Sequence, residues 1–176
     1  MNIKSLLAAT FAVASMSMLS MAQTRTIEHE YSEFDAISVS DGFKVSFVES
    51  DGYSAKFKVN DAFESYVQCY VKAGTLYIGV DDKSIPKEVK KSFKGKNSDD
   101  PVLEATVYVP SLKAVTLSDN CTFSCDKDIN APKFTLELSG TSSVSNLNIH
   151  VAESAVITVS KKAKLSSVNV KAEDKV

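Results

Sequence analysis

A phrase reading apolar, polar, apolar, serine returns three times at a constant step in the C-terminal half of the chain. The copies are Val115-Thr116-Leu117-Ser118, Leu136-Glu137-Leu138-Ser139 and Ile157-Thr158-Val159-Ser160, each 21 residues after the last. A second apolar position follows in each copy at Phe123, Val144 and Leu165, with a small residue two places earlier at Cys121, Ser142 and Ala163. Alternation of this kind sends successive side chains to opposite faces of a strand. A self-similar step near 20 residues is how stacked coils are encoded, since one coil cannot bury its inward side chains until another covers them. The pattern predicts an all-β chain whose body is a β-helix-like solenoid with 21-residue coils. Leu147 and Ile149 match Val168 and Val170 as a second inward pair, whereas the first coil has Asp126 and Asp128 there and Ile129 out of phase. Burying two carboxylates is costly, which predicts a bulge or loop at 126–130 and a register reset at Ala131-Pro132.

The first half reads as an antiparallel meander leading into the coils. Residues 23–33 are polar and charged and are expected to be a flexible lead-in. Ile37, Val39, Ser40, Phe43 and Val45 repeat the spacing of Val115, Leu117, Ser118, Cys121 and Phe123, the mark of an early coil. The alternating runs 43–48 and 53–59, joined by Glu49-Ser50-Asp51-Gly52, read as an antiparallel hairpin. A helical turn is expected over 60–65. Runs 66–72 and 75–80, joined by Ala73-Gly74, read as a further strand pair. Residues 81–101 interrupt the rhythm with six lysines (Lys83, Lys87, Lys90, Lys91, Lys94, Lys96) between two acidic pairs. Ile85, Val89 and Phe93 recur every four residues there, which predicts a short helix from Pro86 pinned to the sheet by one apolar stripe.

Residues 1–22 read as an export signal: Lys4 is its positive start, 6–14 its apolar stretch and Ser20-Met21-Ala22 its cleavage site. That apolar stretch is too short to span a bilayer, which takes about 20 residues, and no cysteine stands at the cleavage site for lipid attachment. The protein is therefore expected to be exported, to the periplasm or to the cell surface and beyond, with 34–176 as a single domain. The mature chain carries a formal charge near −3 and a single arginine, Arg25. Such a balance gives a nucleic acid or polyanion partner nothing to hold. Cys69, Cys121 and Cys125 leave at least one thiol unpaired. Cys121 and Cys125 would lie roughly 13 Å apart on a straight strand, so a disulfide would need the chain to turn between them, and buried free thiols are the favoured reading.

No residue set amounts to a catalytic, cofactor or metal signature. Ser118, Ser139 and Ser160 form a row of equivalents, which suits a structural ladder of hydroxyls at a coil corner and not one nucleophile beside a base. His29 and His150 are the only histidines and do not make a zinc site. Asp99-Asp100 and Asp126-x-Asp128 lack the glycine-aspartate density of a calcium loop. Thr116, Glu137 and Thr158 fall on one outward face, where a ligand would lie.

Phe34-Asp35-Ala36-Ile37-Ser38-Val39, Gly42-Phe43-Lys44-Val45, Gly74-Thr75-Leu76-Tyr77-Ile78, Val109-Pro110-Ser111-Leu112-Lys113 and Leu136-Glu137-Leu138-Ser139-Gly140-Thr141-Ser142 follow one another in the order and spacing of a known family. Over about residues 34–172 the chain resembles the putative auto-transporter adhesin head GIN domain family of exported proteins from Gram-negative bacteria. The resemblance implies a β-helical fold at the cell envelope and, by the family's name, an adhesive role. It brings no catalytic or binding residues with it. Ser118-Asp119-Asn120 and Ser160-Lys161-Lys162 depart from the usual Ser-Gly-small, and fewer coils than in relatives are expected. The functional expectation is a noncatalytic envelope or cell-surface binding protein whose partner is a glycan or an envelope protein. The alternatives are a structural protein that self-associates through exposed coil ends around 168–172 or, third, a polysaccharide-acting β-helix enzyme.

Overall fold

Alternating apolar and polar residues make strands of nearly every run in the chain, and the computed structural model, which describes residues 23–93 and 100–173, is all-β. The export signal expected over 1–22, and Lys94, Lys96 and Asp99 of the insertion, lie outside the described residues. The strands in chain order are β1 (Thr24–Glu30), β2 (Ala36–Val39), β3 (Lys44–Glu49), β4 (Ser54–Asn60), β5 (Val67–Lys72) and β6 (Thr75–Val80), followed by a short helix α1 (Lys87–Ser92). After it come β7 (Leu103–Val109), β8 (Ala114–Leu117), β9 (Thr122–Cys125), β10 (Ile129–Leu138), β11 (Ser143–Val159) and β12 (Lys164–Ala172). They join in one sheet ordered β1-β4-β7-β3-β9-β11-β10-β8-β2-β6-β5, with β12 paired to β11, which curls as an open half-barrel.

The 21-residue step is written directly into the strand register. Val115 pairs with Leu136 and Leu136 with Ile157, while Leu117 pairs with Leu138 and Leu138 with Val159, all in parallel strands. Phe123 pairs with Val144, and Val144 with Leu165. The early copy joins the same stack, with Ile37 beside Val115, Val39 beside Leu117 and Val45 beside Phe123. Strand β11 turns the corner of the curl: its first half pairs with β9 and β12, its second half with β10. Inward side chains from both sides meet in one core in which Phe43, Phe123, Leu117, Leu136 and Leu147 are fully buried. Each such side chain contributes about 1.5–3 kcal/mol on leaving water.

The loop expected near 126–130 occupies 126–128, where all three side chains are exposed, so Ile129 enters the core opposite Ile149. The register then shifts between Ala131 and Lys133, at Pro132. Cys121 and Cys125 both face inward as free thiols, four residues apart along one extended stretch. The helix expected from Pro86 is α1, with Ile85 buried and Val89 and Phe93 packed on the core. Phe93 stands 5.0 Å from Phe63, centroid to centroid.

Three expectations are corrected. The runs 43–48 and 53–59 do not pair as a hairpin: β7 inserts between β3 and β4, parallel to the first and antiparallel to the second. Its strict alternation, buried at Leu103, Ala105, Val107 and Val109, makes it a better neighbour to both than either is to the other. The first half is consequently not a meander, because β2 and β3 join the parallel stack. Residues 24–30, read as a flexible lead-in, form strand β1, antiparallel to β4 over its whole length. The sheet edge left by β4 supplies hydrogen bonds that composition alone does not reveal, and Ile27 packs on the core. Arg25 adds a surface ion pair with Glu64 at 3.0 Å.

Candidate functional site

The outward sides of β5, β6, β2, β8, β10 and β11, neighbours in that order, form one regular surface. Each strand has its apolar residues in the core, so the residue between them must face out. Register places those outward residues in one row: Tyr70 beside Tyr77, Tyr77 beside Ser38, Ser38 beside Thr116, Thr116 beside Glu137, and Glu137 beside Thr158. Neighbouring strands lie about 4.8 Å apart, so the row runs for roughly 24 Å. The three residues singled out from sequence therefore sit side by side. Glu137 and Thr158 are exposed, and Thr116 is half-buried.

Sequence reasoning missed the other half of the row. Tyr70 and Tyr77 stack with centroids 5.2 Å apart and planes within 16° of parallel, and Tyr70 is 50% exposed. Ser38 was accessible to the repeat argument, since Ile37-Ser38-Val39 copies the coil phrase. The tyrosines alternate outward in their own runs, but nothing in the sequence announces that β6 docks in parallel on β2 and so carries them into line. Beside the pair lies a notch of about 80 Å³ lined by Ser40, Asp41, Gln68 and both tyrosines. Asp41 holds its shape by accepting hydrogen bonds from the Ser40 hydroxyl and from Val80 N at 3.0 Å.

The serine row occupies the corner that follows. Ser118 Oγ donates to Val39 O at 3.3 Å and Ser139 Oγ to Leu117 O at 3.2 Å. The backbone N–H groups of Ser40, Ser118, Ser139 and Ser160 each donate to the preceding strand, to Ile78, Val39, Leu117 and Leu138, at 2.9 Å. The Ser118 and Ser139 hydroxyls thus donate to backbone carbonyls, and the carboxylates beside the row, Asp41 at Ser40 and Asp119 at Ser118, bond those hydroxyls locally at the turns. Among the described residues no group of three or more His, Cys, Asp or Glu side chains could hold a metal ion.

A second polar patch lies where the 126–128 loop meets β11 and β12. Asn148 Nδ2 donates to Asp128 Oδ1 at 2.9 Å, Asn169 Nδ2 to Asn148 Oδ1 at 3.0 Å, and His150 Nε2 lies 3.0 Å from Asp128 Oδ2. Its members bond one another across neighbouring elements. A third hollow, of about 230 Å³, lies between α1 and the sheet and is lined largely by Phe63, Ile85, Phe93 and Leu103. The thiols are poised against reaction: burial pushes Cys69 and Cys121 up to about 11 and raises Cys125 as well.

Comparison with known proteins bears on family and fold. The model of the putative auto-transporter adhesin head GIN domain family matches residues 33–175. The fold is similar to that of a putative adhesin from Bacteroides fragilis, at 16% identity and TM-score 0.58, covering 78% of this chain and 62% of that one. It is also similar to a putative adhesin from Parabacteroides distasonis (16% identity, TM-score 0.55, covering 86% and 66%) and to one from Parabacteroides merdae (18%, 0.50, 78% and 56%). The chain thus spans about three-fifths of the length of these structures. No curated protein matches the sequence.

Proposed function

We propose, from the premise that the chain belongs to the putative auto-transporter adhesin head GIN domain family, that it is an exported, noncatalytic, adhesin-like binding protein of the cell surface or envelope. Its body is a short β-solenoid of 21-residue coils, a reading supported by the parallel pairing of residues one coil apart. Ser118, Ser139 and Ser160 act in it as a structural ladder. The ligand lies across the outward face that carries Thr116, Glu137 and Thr158. The observation that carries this reading is their placement on adjacent parallel strands, in line with a solvent-facing tyrosine pair. A regular, rigid, polar face with an aromatic end suits recognition, while chemistry needs a distinguished nucleophile or acid-base pair. The test is adhesion of beads coated with the protein to host cells or polysaccharide, compared with a Thr116→Ala, Glu137→Ala, Thr158→Ala variant. Adhesion lost in the variant at unchanged thermal stability supports the face. Equal adhesion by both proteins refutes it, and polysaccharide turnover by the unaltered protein refutes the noncatalytic reading.

A second reading, self-association, is favoured by the far end of the stack. Val159, Leu165 and Val170, which follow the inward pattern, are 41%, 38% and 43% exposed there, because no further coil among the described residues covers them. A second copy meeting that end would complete the core.

A further inference from the structure

We propose that the segment of the outward row between Tyr77 and Glu137 is a binding site for an uncharged pyranose glycan, a ligand class that deepens the adhesin reading and rests on it. The cross-strand neighbours that form its floor are all small. Ser38 and Thr116 stand in the row itself, and Ala36 and Ala114 stand beside each other in the parallel row next to it. Tyr77 rises on one side of this floor and Glu137 on the other, three strand spacings or roughly 14 Å apart. The floor is therefore a trough two strands wide between an aromatic wall and a carboxylate.

The orientation of the wall identifies its ligand. The two tyrosines lie on neighbouring strands and stack nearly parallel at 5.2 Å, close to the strand spacing itself, so their ring faces look along the row and not up from the sheet. One face of Tyr77 is covered by Tyr70, and the other is turned toward the space above Ser38 and Thr116. An aromatic face carries a negative quadrupole and attracts the positive edges of C–H groups. The C–H face of a pyranose offers a patch of such groups, while its hydroxyl rim seeks donors and acceptors. Ser38 and Thr116 supply hydroxyls beneath it, and Glu137 supplies acceptors on the far side. Tyr70 stiffens the wall from behind, so little side-chain entropy is lost when a sugar ring packs on it.

Charge decides between neutral and anionic sugars. On the six strands the formal charges facing out are Glu137 in the row, Lys133 and Glu153, which pair with each other at 3.1 Å four or more residues along β10 and β11 from it, and Lys72, which lies at the outer corner of β5 beside Thr75. Within the trough the only formal charge is negative, so a sulfate or carboxylate on the ligand would meet repulsion with no arginine or lysine to offset it.

The full exported chain, residues 23–176, is applied to an array carrying neutral oligosaccharides beside sialylated and sulfated ones. Its affinity for each bound neutral oligosaccharide is then followed by tyrosine fluorescence, which no tryptophan obscures in this chain. Binding of neutral glycans is expected. Tyr77→Ala should weaken it about ten-fold or more, and Tyr77→Phe, which keeps the ring, by less than about three-fold. Thr116→Arg, which fills the trough without touching the tyrosines, should abolish it. Thermal midpoints of the variants guard against unfolding, and Thr116→Arg stands in should Tyr77→Ala fail to fold. Neutral-glycan binding that survives both Tyr77→Ala and Thr116→Arg overturns the trough but leaves the adhesin reading intact. So does binding confined to anionic glycans or to a protein. Absence of adhesion to every glycan, cell and protein surface overturns both.

Discussion

Three corners of the stack show why single residues matter more here than their chemistry suggests. Asp41, Asp119 and Gly140 follow Ser40, Ser118 and Ser139 at equivalent turns and take φ of 62°, 59° and 63°. Left-handed backbone is easy for glycine and tolerable for aspartate, whose side chain bonds locally. Asp119 accepts from Ser118 Oγ at 3.2 Å, so the departure from the family's glycine at 119 is a substitution within one backbone requirement. At Gly140 no such freedom remains: an added Cβ would come within 2.5 Å of Asp119 O and 2.7 Å of Asp119 Cα. Gly140→Ala should cost about 2 kcal/mol or more, lowering the thermal midpoint by about 4–8 °C, whereas Asp119→Gly should lower it far less. The buried thiols carry a pH signature with a definite sign. Folding holds Cys69 and Cys121 protonated, with values raised from 9.0 to about 11. Their contribution is therefore fully present below pH 9 and is lost as pH rises through about 11. Thermal midpoints measured from pH 8 to 11 should fall more steeply for the unaltered chain than for a Cys69→Ala, Cys121→Ala variant.

The repeating strands were legible because each obeys two constraints at once, alternation within the strand and a fixed step between strands. Val115, Leu136 and Ile157 could be placed beside one another from sequence for that reason. The loop at 126–128 was legible too, since two aspartates in an inward pattern leave the chain no other course. What could not be read is pairing that no repeat specifies. The position of β7 between β3 and β4, the docking of β6 on β2 and the strand character of 24–30 depend on which strands meet in the folded sheet, and alternation within a strand does not name its partner. Half of the candidate site was hidden for the same cause: Thr116, Glu137 and Thr158 belong to the repeat, and Tyr70 and Tyr77 do not. Stacking also grades the energetics along a column. Leu117 is fully buried between neighbours on both sides, and Val159 at the end of the same column is 41% exposed. Leu117→Ala should cost about 2–5 kcal/mol and Val159→Ala under about 1 kcal/mol. Equal costs in denaturant unfolding would show that the column is not a graded stack.

At the scale of the whole molecule the two ends of the stack are unlike. The N-terminal end finishes in antiparallel pairs, β5 on β6 and β1 on β4, whose edge strands expose mainly polar side chains. Among the described residues the other end finishes on β12 and the second half of β11, where apolar residues that follow the inward pattern are exposed beside a strand edge that no other described strand pairs. An edge of that kind is a template for another strand. If a second copy covers it end to end, the two contacting surfaces are the same patch related by a two-fold axis, and the assembly closes at two because the polar ends point away. The same symmetry brings like charges together, since Lys161, Lys162, Lys164 and Lys171 all lie in or beside β12 and are exposed. Burial of the apolar end then works against lysine repulsion. Salt screens the repulsion, shortening the Debye length from about 30 Å at 0.01 M to about 10 Å at 0.1 M, and leaves the apolar term in place. The dimer fraction, followed by light scattering against protein concentration, should therefore rise with salt, and Leu165→Lys with Val170→Lys should hold the protein monomeric without unfolding it. A dimer that weakens with salt would place the contact elsewhere, on surfaces of opposite charge, and would leave the open end free.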